Sequence, residues 1–172
     1  MRLSLLLYFL LILPISREVL ESYMVTHMFV QLPLLYAVGM LFPNRKEYKT
    51  RHIWSNIIFV LGLLSFWMVP RTLDDALVNT YTEILKFISL PLIGYLWKVS
   101  WRHLSEMTLA FIYTQLVSMC GLFAWLYLDT PIQICNNYLI NEQKIVGAIY
   151  LVITIFMCGY LLKIAFIGNK KT

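Results

Sequence analysis

The stretch IVGAIYLVITIFMCGYLLKIAFIG, residues 145–168, decides the class of fold, because its 24 positions carry one charge, on Lys163. At 1.5 Å per residue a helix of that length rises about 36 Å, enough to cross a hydrocarbon core of about 30 Å. Similar runs recur toward the N-terminus at Leu3 to Ile15, Tyr23 to Phe42, Ile53 to Val69, Leu85 to Trp97 and Thr108 to Leu128. The composition agrees: 60% of the 172 residues are apolar and 13% are charged, with a mean hydropathy of +0.72. Water-soluble domains are nearer half apolar and a quarter charged, and disordered chains lack the aromatic and β-branched residues abundant here. The expectation is an all-α, polytopic membrane helix bundle of six, or five, transmembrane helices, with residues 1–172 forming a single transmembrane domain.

Two runs need separate comment. Residues 1–16 read as a short first span or a signal-like segment, since the run is only 13 residues long and follows Arg2. The sequence Pro14-Ile15-Ser16-Arg17 offers no small-x-small cleavage site, which favours retention. The run at Leu85 carries Pro91 and Gly94, tolerated in a membrane helix when neighbouring helices satisfy the freed backbone groups, and its helix is expected to begin near Thr82.

The net charge of +5 does not form a nucleic-acid stripe, because the basic residues lie between apolar runs. With six spans, one side holds Arg2, Arg45, Lys46, Lys49, Arg51, Lys98, Arg102, Lys170 and Lys171 against Glu47 and Glu106. The opposite side holds Arg17, Arg71 and Lys144 against Glu18, Glu21, Asp74, Asp75, Glu83, Asp129 and Glu142. Nine basic residues against three assign both termini to the cytoplasm; the membrane expected is a prokaryotic plasma membrane. Cys120, Cys135 and Cys158 form no CxxC pair and define neither a disulfide framework nor a zinc knuckle.

Most polar residues in the runs have ordinary roles. Gln31, Asn56, Gln115 and Ser118 suit hydrogen bonding between helices, and Lys163 can reach the interface. The exception is Met24, His27, Met28 and Gln31, spaced i, i+3, i+4 and i+7 on one helical face. Met68 ends the third run at the same depth, and Asp74 and Asp75 follow in a segment that reads as a short interfacial helix opened by Pro70. Thioethers with one imidazole suit Cu(I), whereas carboxylates suit harder ions. The competing reading is plain packing, with methionine filling gaps and His27 hydrogen-bonding across the bundle. No HExxH, phosphate loop or nucleophile elbow is present, so no enzyme activity is expected.

At these residues the chain resembles the CtaG-type cytochrome c oxidase assembly factors. The resemblance is carried by Met24-x-x-His27-Met28 followed by Gln31-Leu32-Pro33-Leu34-Leu35, and by Trp67-x-x-Pro70 with Asp74-x-Ala76-Leu77. Phe87-Ile88-Ser89 to Trp97 and Glu142-Gln143-Lys144-Ile145-Val146-Gly147 add to it, in the family's order. Tyr23 stands where the family pattern has its first histidine and Met68 where it has the histidine after tryptophan. Glu83, Lys86 and Phe87 occupy the positions of its His-x-x-Glu-His stretch. The resemblance implies a membrane-embedded assembly or copper-handling factor for a copper-containing respiratory oxidase, with a Cu(I) site of His27, Met24, Met28, Met68 and Asp74 at the outer face. The alternative is a non-catalytic accessory subunit of a membrane oxidase or copper monooxygenase complex, acting by helix packing without metal. The expected partners are those membrane subunits and the lipid bilayer, with no nucleic acid and no cofactor besides copper.

Overall fold

Proline sets the breaks at the start of the chain. In the computed structural model, which describes residues 2–43, 53–129 and 133–167, helix α1 spans Arg2–Ile12 and α2 spans Pro14–Glu21. Leu13 between them has ψ 135°, outside the helical region, as expected of a residue crowded by the ring of a following proline. The Ser16 hydroxyl then donates to the carbonyl of Leu13 at 2.9 Å and also to that of Leu10. The run expected as a first span is thus two short helices. The 11 residues of α1 rise only about 16 Å, half a hydrocarbon core.

Helix α3 (Met24–Leu41) starts after extended Tyr23 and contains a π-helical turn at His27–Gln31, where the Leu32 N–H reaches back to the His27 carbonyl. Such turns insert one residue into the helix and re-aim the side chains around it. Proline acts again at the next break. Val69 is extended, with ψ 123°, before Pro70, and α4 (Ile53–Met68) and α5 (Pro70–Val78) meet at a bend of 74°. The short helix expected after Pro70 is α5. Helix α6 (Thr80–Trp101) is capped by Asn79, whose Oδ1 accepts the Tyr81 N–H at 2.9 Å. It runs through Pro91 without ending. Helices α7 (Glu106–Asp129) and α8 (Ile140–Ile167) complete an all-helical set among the described residues.

Among the described residues, three helices are long and apolar enough to cross a membrane: Met24–Leu41, Glu106–Asp129 and Ile140–Lys163. The bent pair α4 and α5 makes a fourth if counted as one span. Helix α6 is 22 residues long but carries Glu83, Lys86 and Lys98, which lower its apolar character.

The chain divides into two compact units, Met1–Leu104 with Cys135–Tyr138, and Ser105–Ile134 with Leu139–Thr172. In the first, α6 is the hub against which α3, α4 and α5 pack, and α1 packs on α3. Two glycines allow α3 and α6 to touch backbone to backbone. A Cβ on Gly39 would lie 1.8 Å from the Pro91 carbonyl oxygen, and one on Gly94 would lie 2.0 Å from that of Tyr36. The second unit is the α7–α8 pair. Tyr127 and Tyr150 stack there with ring centroids 6.5 Å apart, and the Gln143 side chain accepts the Ile134 N–H at 3.1 Å.

Candidate functional site

Charged and polar side chains of α2, α3 and α6 gather inside the first unit. Each helix contributes a pair spaced to share one face: Arg17 and Glu21, His27 and Gln31, Glu83 and Lys86. Lys86 is fully buried, and its ammonium donates to Glu21 Oε1 at 2.7 Å and to Gln31 Oε1 at 3.4 Å. Gln31 Nε2 donates to the same Glu21 oxygen at 2.9 Å. Arg17 pairs with Glu83 beside them, and both cations lie over the Phe87 ring, Lys86 at 5.1 Å and Arg17 at 5.8 Å from its centroid. Burial alone would raise the Glu21 carboxyl. The hydrogen bond and charge of Lys86, with help from Gln31, outweigh it and hold the group below its ordinary value.

His27 lies in the π-turn and has no exposed surface. Its Nδ1 is 3.0 Å from the Tyr138 hydroxyl, which itself donates to the Glu21 carbonyl at 3.0 Å. The other ring nitrogen, Nε2, is buried and has no hydrogen-bond partner among the described residues. Met24 and Met28, three residues before and one after, are buried as well. Of the five residues expected to form a metal site, His27, Met24 and Met28 therefore share one buried segment of α3.

The other two lie on separate helices. Met68 ends α4, which packs on α5 and α6. Asp74 on α5 accepts the Asn136 N–H at Oδ2 and the Asn137 N–H at Oδ1, both at 3.1 Å, and the Asn137 side-chain amide at 2.8 Å. Its carboxylate thus clamps the segment Cys135–Tyr138 within the first unit. Cys135, on that segment, is buried with its Sγ 3.9 Å from the Pro70 carbonyl oxygen. Among the described residues no group of three or more His, Cys, Asp or Glu side chains could hold a metal ion. A metal here would depend on imidazole and thioether.

Sequence reading placed Gln31 between helices, and it does bond to Glu21 of α2. It passed over Glu21, counted only as a loop charge, and Tyr138. The available signal was Lys86, since a lysine in an apolar run requires a partner. Searches of protein-family models, curated proteins and solved structures find no match to the chain.

Proposed function

We propose that this is a non-catalytic membrane factor that binds Cu(I) as cargo and passes it to a copper-containing respiratory oxidase. The observation that carries the reading is the bare, fully buried Nε2 of His27, lying on one segment with the buried thioethers of Met24 and Met28. An imidazole that bonds through one nitrogen and leaves the other free is in the state required of a metal ligand. Thioether sulfur favours a soft monovalent ion over zinc. Met68 and Asp74 complete the ligand set that the resemblance to CtaG-type factors implies, with Asp74 less available because of its bonds to Asn136 and Asn137.

The accessory-subunit reading, without metal, rests on a separate observation. Backbone contact at Gly39 and Gly94 and the paired charges around Lys86 make the first unit a stiff scaffold, which suits a partner recognised by helix packing. The topology proposed for both readings has six spans, with the first in α1 and one in α6, Arg17, Glu18 and Glu21 beyond the first span, both termini cytoplasmic and the His27 end of α3 outside.

Titrating the purified full chain with Cu(I) under reducing conditions, against a competing chelator, tests the first reading. One tightly held ion is expected in wild type, with loss in a variant combining His27→Ala, Met24→Ala and Met28→Ala. Zn(II) should bind at least tenfold more weakly. A wild-type protein that holds no copper sinks the cargo reading and leaves the scaffold.

A further inference from the structure

Tyr138 is 111 residues from His27 in sequence, yet its hydroxyl decides which nitrogen of that ring is free. The Glu21 carbonyl can only accept, so the Tyr138 proton is committed to it at 3.0 Å. The phenol oxygen is then an acceptor toward His27 Nδ1, 3.0 Å away, and a hydrogen bond at that distance requires the proton to be on Nδ1. A second proton on Nε2 would be a buried donor without an acceptor, which is costly in a protein interior.

The geometry points to Tyr138 as the positioning residue of the His27 site: its hydroxyl fixes the Nδ1–H tautomer and presents a bare Nε2 lone pair to an electron-pair acceptor. Asp74 acts one step further back. By holding the backbone N–H groups of Asn136 and Asn137, it sets the position of the residue that follows them, Tyr138. That gives Asp74 a part in the site through Tyr138, separate from any role as a ligand. The nature of the ligand rests on the copper reading, whereas the tautomer rests only on these hydrogen bonds.

Nitrogen-15 NMR of the full chain in lipid nanodiscs, with labelled histidine, reads the tautomer without metal. The chain has three histidines, and the His27 signals are those missing from His27→Gln. Wild type should show Nδ1 protonated and Nε2 unprotonated, and Tyr138→Phe should move population to the Nε2–H form. Asp74→Ala should produce the same change to a smaller extent, and Asp74→Asn, which keeps one acceptor oxygen, smaller still. A wild-type ring protonated at Nε2 overturns the inference whether or not any variant folds. So does a Tyr138→Phe protein with an unchanged tautomer, and an unchanged Asp74→Ala tautomer removes the step assigned to Asp74. In the same samples, Tyr138→Phe should weaken Cu(I) binding about tenfold to a hundredfold, the usual loss when a partner behind a metal ligand is removed. If wild type shows the expected tautomer and takes no Cu(I), the role of Tyr138 stands and the copper reading fails.

Discussion

The α3–α6 pair and the α7–α8 pair are both made of apolar helices, but they hold together by different means. Between α3 and α6 the backbones meet at Gly39 and Gly94, and buried charges are paired beside the contact. Between α7 and α8 the nearest atoms to a Cβ on Gly147 are side-chain carbons of Tyr127 and Leu128, at 2.9 and 3.0 Å. The α3 span is 39% buried inside the protein, against 22% for α7 and 17% for α8. Large side chains such as Phe111, Trp125 and Phe156 are exposed on the second pair, as befits helices whose solvent is lipid. Lipid tails are as apolar as leucine, so helices in a membrane are held by close packing and by polar bonds rather than by a hydrophobic drive. The first pair uses both, which makes it the more demanding of its residues.

The largest effect should follow from separating the buried charges. Glu21→Ala leaves the Lys86 ammonium inside the protein without its carboxylate, a loss of about 3–5 kcal/mol by analogy with other buried pairs. Adding Lys86→Met to that variant should restore much of the loss, because an apolar side chain of similar length needs no partner. Unfolding monitored in mixed micelles would measure both. A single variant as stable as wild type would mean the pair is not what orders the first unit.

The glycine contacts come next. Gly39→Ala and Gly94→Ala each drive a methyl into a carbonyl oxygen of the facing helix, and backbone cannot move aside as a side chain can. About 1–3 kcal/mol is expected for each, the usual range for overpacking. Gly147→Ala should cost less, since its nearest contact lies at 2.9 Å, against 1.8 and 2.0 Å at Gly39 and Gly94. Equal costs at Gly39 and Gly147 in the same unfolding assay would erase the distinction between the two pairs.

Much of the first unit could be read from its sequence where the cause was local. Pro14 and Pro70 interrupt helices through a rule that concerns only adjacent residues, and the short helix that Pro70 implies is α5. Helix α6, expected near Thr82, begins two residues earlier at Asn79's cap. The π-turn at His27–Gln31 left no mark in the spacing, because an inserted residue changes facing without changing which residues are apolar. The site was legible in part. Met24, His27 and Met28 are neighbours in the chain, so their proximity was readable. Lys86 with Glu21 is a pairing across 65 residues, and Asp74 with Asn137 one across 63, which periodicity within one helix does not reveal.

Acid provides a smaller and reversible perturbation of the first pair's surroundings. The Glu21 carboxyl is held below its ordinary value of 4.5 in the folded protein. The sign follows from linkage: a depressed carboxyl contributes stability that is complete above the unfolded value and is lost as pH falls through the folded one. Thermal unfolding of wild type should therefore ease below about pH 4.5, and the difference from Glu21→Gln should narrow over the same range. A gap that widens in acid would reverse the assignment.

The smallest effects should come from glycines that touch nothing, and they serve as the control for the whole comparison. Among the described residues, no atom beyond their own chain neighbours and helix backbone lies within 4 Å of a Cβ on Gly62 of α4 or Gly159 of α8. Neither position needs the glycine for a close approach. Alanine restricts the unfolded chain and is the better helix former by roughly 1 kcal/mol in water, a preference that weakens where lipid already enforces backbone hydrogen bonding. Gly62→Ala and Gly159→Ala should accordingly shift stability by no more than about 0.5 kcal/mol, the ordinary range for surface positions, and toward stabilisation. If these changes cost as much as Gly39→Ala, sensitivity to glycine replacement would be a property of every helix here. If they are silent while Gly39→Ala and Gly94→Ala destabilise the chain, the sensitivity belongs to backbone contact between α3 and α6, the helices that carry His27 and Lys86.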